Sequence, residues 1–184
     1  MQTLSHPSLA LVDGAARDTL TLALRTLELA EQAGAAPTAR LQALALVARA
    51  YRGLGALSQA ESYLQQALRW ADCVGGADAG VDLLCELAEL AVQRADGCIE
   101  DDPVAARLAR ERARDLCFDA AARASRTADA QWEVHVLLRV SDVLDRSGDR
   151  HDAISLQCRA LQLLVQYELP MLDNAAAAFD QTLM

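Results

Sequence analysis

The sequence predicts an all-α chain, built as an α-solenoid of antiparallel helix pairs with about seven or eight helices. Three observations predict it. Ala and Leu supply 38 and 31 of the 184 residues against only seven aromatics, a mixture of strong helix formers with few β-branched or bulky side chains. A skeleton of apolar positions runs Leu44, Val47, Ala48, Tyr51, Gly55, Ala60, Leu64, Ala67, Leu68 and recurs with identical spacing at Leu137, Val140, Ser141, Leu144, Gly148, Ala153, Gln157, Ala160, Leu161. A degenerate copy lies between them, with Leu84, Leu87, Ala88 and Ala91 on one helix and Ala113, Cys117, Ala120 and Ala121 on the next.

Taken in order, residues 1–14 read as a mobile lead and residues 15–184 as one helical repeat domain. The first helix covers about 15–33, where Leu20, Ala23, Leu24, Leu27 and Ala30 fall at helical spacing, and Gly34 stops it. Pro37 opens a second helix to about 53, since proline suits a first helical turn. The Gly53-Leu-Gly55 turn hands over to a third, 58–73, with Ser58 as the expected N-cap. Gly75, Gly76 and Gly80 mark a break before a fourth at 81–95. Asp102 followed by Pro103 caps a long fifth helix to about 127, and Asp129 caps a sixth through Arg146. Ser147-Gly-Asp turns into a seventh from 150 to 167. Pro170 restarts the chain into a short capping helix, 171–183, apolar on one side.

The middle copy carries one insertion. First-helix positions Val47, Leu87 and Val140 are 40 and 53 residues apart, whereas second-helix positions Ala60, Ala113 and Ala153 are 53 and 40 apart. One block of 13 residues inside the middle pair accounts for both series, and the second-helix ends at Ala30, Ala71, Ala124 and Leu164 agree with it. The segment Asp96-Gly-Cys-Ile-Glu-Asp-Asp-Pro is the clear interruption there, and the block is read as this loop plus extra helical turns.

Charge and cysteine usage narrow the function. The chain carries 26 acidic against 17 basic residues, all Arg, for a formal net charge of −9, a balance that repels a phosphate backbone and disfavours nucleic acid. Arg107, Arg110 and Arg114 lie at i, i+3 and i+7 on one helix, but Asp101, Asp102, Glu111 and Asp115 are close in sequence, so this is read as a self-compensated solvated face. Cysteines 73, 85, 98, 117 and 158 include no Cys-x-x-Cys pair, which points to thiols in a reducing, cytoplasmic setting, with neither a disulfide framework nor a zinc site. No basic leader precedes an apolar run, and no stretch of eighteen apolar residues occurs, so no membrane association is expected.

Leu44-x-x-Val47-Ala48-x-x-Tyr51 followed by Ala60-x-x-x-Leu64-x-x-Ala67 resembles the tetratricopeptide repeat, with its order of large, medium, small, aromatic, then small, large, small. The resemblance covers about residues 15–167. It departs from the family in having Leu in place of the usual first-helix Trp, a repeat of about 40 residues instead of 34, and no repeat-ending Pro, which resembles the long-helix variants of bacterial regulators. The resemblance implies a right-handed solenoid whose first helices line a concave wall. Equivalent wall positions are then Gln42, Asp82 and His135; Leu46, Glu86 and Arg139; Arg49, Glu89 and Asp142; and Arg52, Val92 and Asp145, with Arg146 beside them. The family's carboxylate clamp is absent, because Ala45, Arg49, Glu86 and His135 occupy the corresponding places.

The function expected on these grounds is a non-catalytic scaffold that binds a peptide or protein segment, of unspecified identity, on that wall. The alternative is a ligand- or peptide-responsive regulatory domain of a bacterial signalling system. Arg49, Glu86, Glu89 and Arg139 are also placed to neutralise one another between repeats. No cofactor or metal is expected. With three His and no nucleophile motif, an enzyme is not expected, His135 near Cys85 or Asp82 being the one conceivable thiolate or metal pair. Tyr51, Tyr63 and Trp132 are read as core fillers, and Trp70 as a convex-face or dimer-contact residue. An open solenoid has two ends, so the 171–184 segment either covers one or contributes to a homodimer through a terminal helix.

Overall fold

A computed structural model describes residues 7–32, 36–75 and 77–167. The expected stop at Gly34 and the expected capping helix at 171–183 lie outside them. The described residues form seven α-helices and no strand: α1 (Pro7–Gln32), α2 (Pro37–Gly53), α3 (Leu57–Val74), α4 (Ala77–Cys98), α5 (Pro103–Ala124), α6 (Ala130–Ser147) and α7 (Arg150–Gln166). They fall into two compact units, Met1–Leu83 and Leu84–Met184, with the boundary inside α4. Helices adjacent in sequence pack together in each: α1 on α2 and α2 on α3 in the first, α5 on α6 and α6 on α7 in the second.

In the first unit α1 begins at Pro7, earlier than the expected Ala15, and buries Ala23 and Leu27. Pro37 lies in the first turn of α2 as expected, after an N-cap at Ala36. The helix ends at Gly53, and the chain reverses through Gly55, whose φ of +72° is a left-handed conformation that costs a glycine nothing. The Ala56 amide donates to the Tyr51 carbonyl at 2.9 Å across this turn. That tight turn brings α3 in at Leu57, so the N-cap is Ala56 with no side-chain cap bond, and Ser58 is inside the helix instead of capping it.

Leu41, Leu44, Val47 and Ala48 of α2 and Ala60, Leu64, Ala67 and Ala71 of α3 are buried. Tyr51 and Tyr63 stack between the two helices with ring centres 5.5 Å apart, half-buried instead of filling the core. Trp70 is not a free outer residue. Its indole Nε1 donates to the Pro37 carbonyl at 2.9 Å, and the Arg40 guanidinium lies 4.5 Å over its ring. Arg40 also reaches Glu31 of α1 at 3.2 Å, so one cluster ties together α1, the start of α2 and the end of α3.

The break expected at Gly80 does not occur: α4 starts at Ala77 and carries Gly80, buried, within it. In the second unit α4 continues to Cys98 and α5 starts at Pro103, leaving only Ile99–Asp102 between them. Most of the 13-residue insertion is therefore helix. Asp102 caps α5 as expected, its Oδ1 accepting from the Ala105 amide at 2.9 Å, and Asp129 caps α6 the same way, accepting from Trp132 at 2.9 Å. Gly148 turns α6 into α7 at φ +94°, and the Asp149 amide closes on the Leu144 carbonyl at 2.9 Å. Leu84, Leu87, Leu90, Val134, Leu137, Val140 and Leu144 form the apolar core of this unit with the small Ala153 and Ala160. Full burial of each large side chain contributes about 1.5–3 kcal/mol.

Candidate functional site

The wall positions divide between the two units. On α2 of the first unit, Gln42, Leu46 and Arg49 are exposed at i, i+4 and i+7, Leu46 at 45%, and alternate with the buried residues that hold the helix down. Arg52 and, on α4, Asp82 are half-buried. On α6 of the second unit, His135, Asp142 and Arg146 are exposed and Arg139 is half-buried, at the same helical spacing.

Two wall positions on α4 are less open. Glu86 is only 6% exposed, so its carboxylate is not part of a surface, and Val92 is buried. Glu89 is half-buried and accepts both Nε and Nη2 of Arg139 on its Oε1, at 2.9 and 2.8 Å. This pair bears out the neutralising role expected for Glu89 and Arg139: part-buried and doubly bonded, it fixes α6 against α4. Arg146 approaches Asp142 at 3.8 Å one turn away, an exposed pair of small energetic weight.

His135 stacks on Trp132, ring centres 5.9 Å apart, and is exposed. Trp132 is half-buried, a platform for that ring more than a core filler. Cys85 is fully buried, so the conceivable His135–Cys85 arrangement offers no open reaction centre. Among the described residues, no group of three or more His, Cys, Asp and Glu is placed to hold a metal ion.

Cys117 is chemically quiet. Burial first, then the neighbouring Cys85 and the carboxylates of Asp149 and Glu89, push its thiol from 9.0 up to about 12, against a lowering pull from Arg146. At neutral pH it is a protonated core residue. In the unfolded chain this thiol ionises above pH 9.0, while the folded chain keeps the proton until about 12. Its contribution to stability is thus complete below the lower value and is lost as pH rises between the two, at about 1.4 kcal/mol per pH unit. Urea unfolding of the parent and of Cys117→Ala at about pH 8 and pH 10 should show a steeper alkaline loss in the parent; equal losses would contradict this account.

The ion pairs between different helices were not readable from spacing alone. The buried Glu133 of α6 accepts Nε and Nη2 of Arg159 from α7 at 3.1 and 2.8 Å. The arginines of the α5 stripe all have acidic partners: Arg107 with Glu111 at 3.6 Å, Arg110 with Asp96 at 3.6 Å and Arg114 with Asp152 at 2.8 Å. Glu111 was among the neighbours expected to compensate them; Asp96 and Asp152 come from α4 and α7. No helix among the described residues is long and apolar enough to cross a membrane.

No protein-family model matches this chain, and no curated protein matches it. Among solved structures, the chain of the DHF58 filament is 21% identical over 86% of this chain and 96% of that chain, with a TM-score of 0.43. BtubC (BKLC) from P. vanneervenii is 12% identical over 91% of this chain and 95% of that chain, with a TM-score of 0.31.

Proposed function

We propose that the protein is a non-catalytic scaffold of the tetratricopeptide type, a right-handed solenoid whose first helices hold a peptide or protein segment. The observation that supports this most directly is the two-sidedness of α2 and α6. Each buries a complete apolar stripe and leaves a second line of residues exposed: Gln42, Leu46 and Arg49 on one, His135, Asp142 and Arg146 on the other. Removing the exposed apolar Leu46 from water is favourable when a partner arrives, and His135 is already held flat on Trp132, which lowers the cost of ordering it. The charged positions that pair with each other, Arg139 and Glu89, serve the scaffold more than the partner.

The test uses Leu46→Glu together with His135→Glu, since both side chains are exposed and neither substitution removes core volume. Affinity for the partner recovered with the parent protein should fall about tenfold or more, equivalent to at least ~1.4 kcal/mol, while far-UV circular dichroism and melting temperature stay unchanged. Undiminished binding by the folded double variant would remove the capture surface from α2 and α6.

A further inference from the structure

Among the described residues, α1 is covered on one side only. Ala16, Leu20, Ala23, Leu24, Leu27 and Ala30 are buried or half-buried, and α2 is the helix packed on α1. About a third of a turn round the helix, Thr19, Leu22, Thr26 and Leu29 are exposed, the leucines at 67% and 58%. The threonines do not make this face polar. Thr19 Oγ1 donates to the Ala15 carbonyl and Thr26 Oγ1 to the Leu22 carbonyl, each at 2.8 Å, so both hydroxyls are satisfied within the helix.

Placing α1 on α3 with Ala30 over Ala71 shows what this face is for. The covered residues of α1 then fall on Leu57, Glu61, Leu64, Gln65, Leu68 and Ala71, and the exposed four fall on Ala60, Tyr63, Ala67 and Trp70. Together these are all the residues of α3 that are buried or half-buried. The second group includes the side of α3 that meets α2, since Tyr63 stacks on Tyr51 and Trp70 donates to Pro37. α1 thus carries the register of the second helix of a pair, and Thr19, Leu22, Thr26 and Leu29 stand where α3 meets its first helix.

The sequence contains a matching first-helix motif after α7. Leu172-x-x-Ala175-Ala176-x-x-Phe179 repeats the spacing of Leu44-x-x-Val47-Ala48-x-x-Tyr51 in α2, with a large residue first and an aromatic last and the smaller Ala175 in place of Val47. α7 also has a side for it: Ile154, Cys158 and Leu161 correspond, with Ala153 placed over Ala60, to Leu20, Leu24 and Leu27, the side of α1 that α2 covers, and the first two are exposed. We infer that segment 171–183 of one copy seats on the open face of α1 in a second copy, completing head to tail a repeat that each chain carries in two halves. Segment 171–183 then has its own α7 on one side and the next copy's α1 on the other, as α2 has α1 and α3. Phe179 takes the place of Tyr51 and meets Leu22 where Tyr51 meets Tyr63. The two contacting surfaces differ, so the contact is heterologous and adds copies in one direction unless a ring closes. This inference stands on the repeat register and is independent of the capture surface on α2 and α6.

Sedimentation velocity on the full chain, on Leu22→Glu, on Phe179→Glu and on their equimolar mixture tests it. The parent should exceed the 19.8 kDa monomer mass increasingly with concentration, and each variant alone should be monomeric. The mixture should reach twice the monomer mass and stop, because it offers one intact seat and one intact segment. Circular dichroism verifies that both variants stay helical, as expected for a substitution at the already exposed Leu22. A parent that stays monomeric places the segment on its own chain and overturns the inference. A Phe179→Glu variant that still dimerises points to α1 pairing with α1 and overturns it too, as does a mixture that remains monomeric.

Discussion

Leu144→Ala should lower the unfolding free energy by about 2–5 kcal/mol, the range for emptying a well-packed leucine site. Leu144 is fully buried, late in α6, and its carbonyl also closes the turn through Gly148 by accepting the Asp149 amide and the Ser147 hydroxyl. The side chain is lost while those bonds stay, so the measured cost reports the cavity. Against a total stability of about 5–15 kcal/mol for a domain of ordinary size, this is a large fraction. Urea titration should show a lower midpoint at constant slope, whereas Val165→Ala, at an exposed position of α7, should change stability by no more than about 0.5 kcal/mol. A Leu144→Ala loss as small as that of Val165→Ala would mean the core of the second unit is loosely packed.

Ala60→Leu should be similarly damaging for the opposite reason. Ala60 is fully buried on the side of α3 that carries Tyr63, and Ala48 on α2 is buried with it. Leucine forms helix nearly as well as alanine, so intrinsic propensity does not account for a loss. Three extra carbon atoms in a space filled to a methyl group force the two helices apart, at about 1–3 kcal/mol or more. Gln59→Leu, one residue earlier and exposed, is the control. If Ala60→Leu melted with the parent, small residues would not be required there and the repeat assignment of this position would lose its physical basis.

The helices were legible in the sequence because their signals are local. Asp102 and Asp129 cap α5 and α6 as read, since an aspartate ahead of an apolar-periodic run has a nearby amide to accept from. Two glycines misled. Gly80 and Gly97 look like breaks, but both lie inside α4, where tertiary packing outweighs a propensity cost of about 1 kcal/mol. Ser58 misled as well, because the turn through Gly55 delivers the chain one residue early and leaves the serine within the first helical turn.

The surface was harder to read than the helices. The register of the family resemblance set Gln42, Leu46, Arg49, His135 and Asp142 on the wall, and each of them is exposed. It could not show that Glu86 is buried, because periodicity gives which residues share a face and says nothing of what lies against that face. Long-range polar contacts escape for the same reason: Trp70 with Pro37, Glu133 with Arg159 and Arg114 with Asp152 join residues 33, 26 and 38 positions apart. Only the packed helices bring them together.

The burial of the middle of α4 has an evolutionary corollary. From Leu83 to Ala88 every residue is buried, and Leu90, Ala91 and Val92 follow after the half-buried Glu89. Six neighbouring positions span more than a full turn, so this stretch presents no outer flank on which new specificity can be tried without disturbing its neighbours. Substitutions among descendants of this chain should therefore collect at the outward positions of α2 and α6, while α4 keeps its volume pattern like the beam of a building whose tenants change.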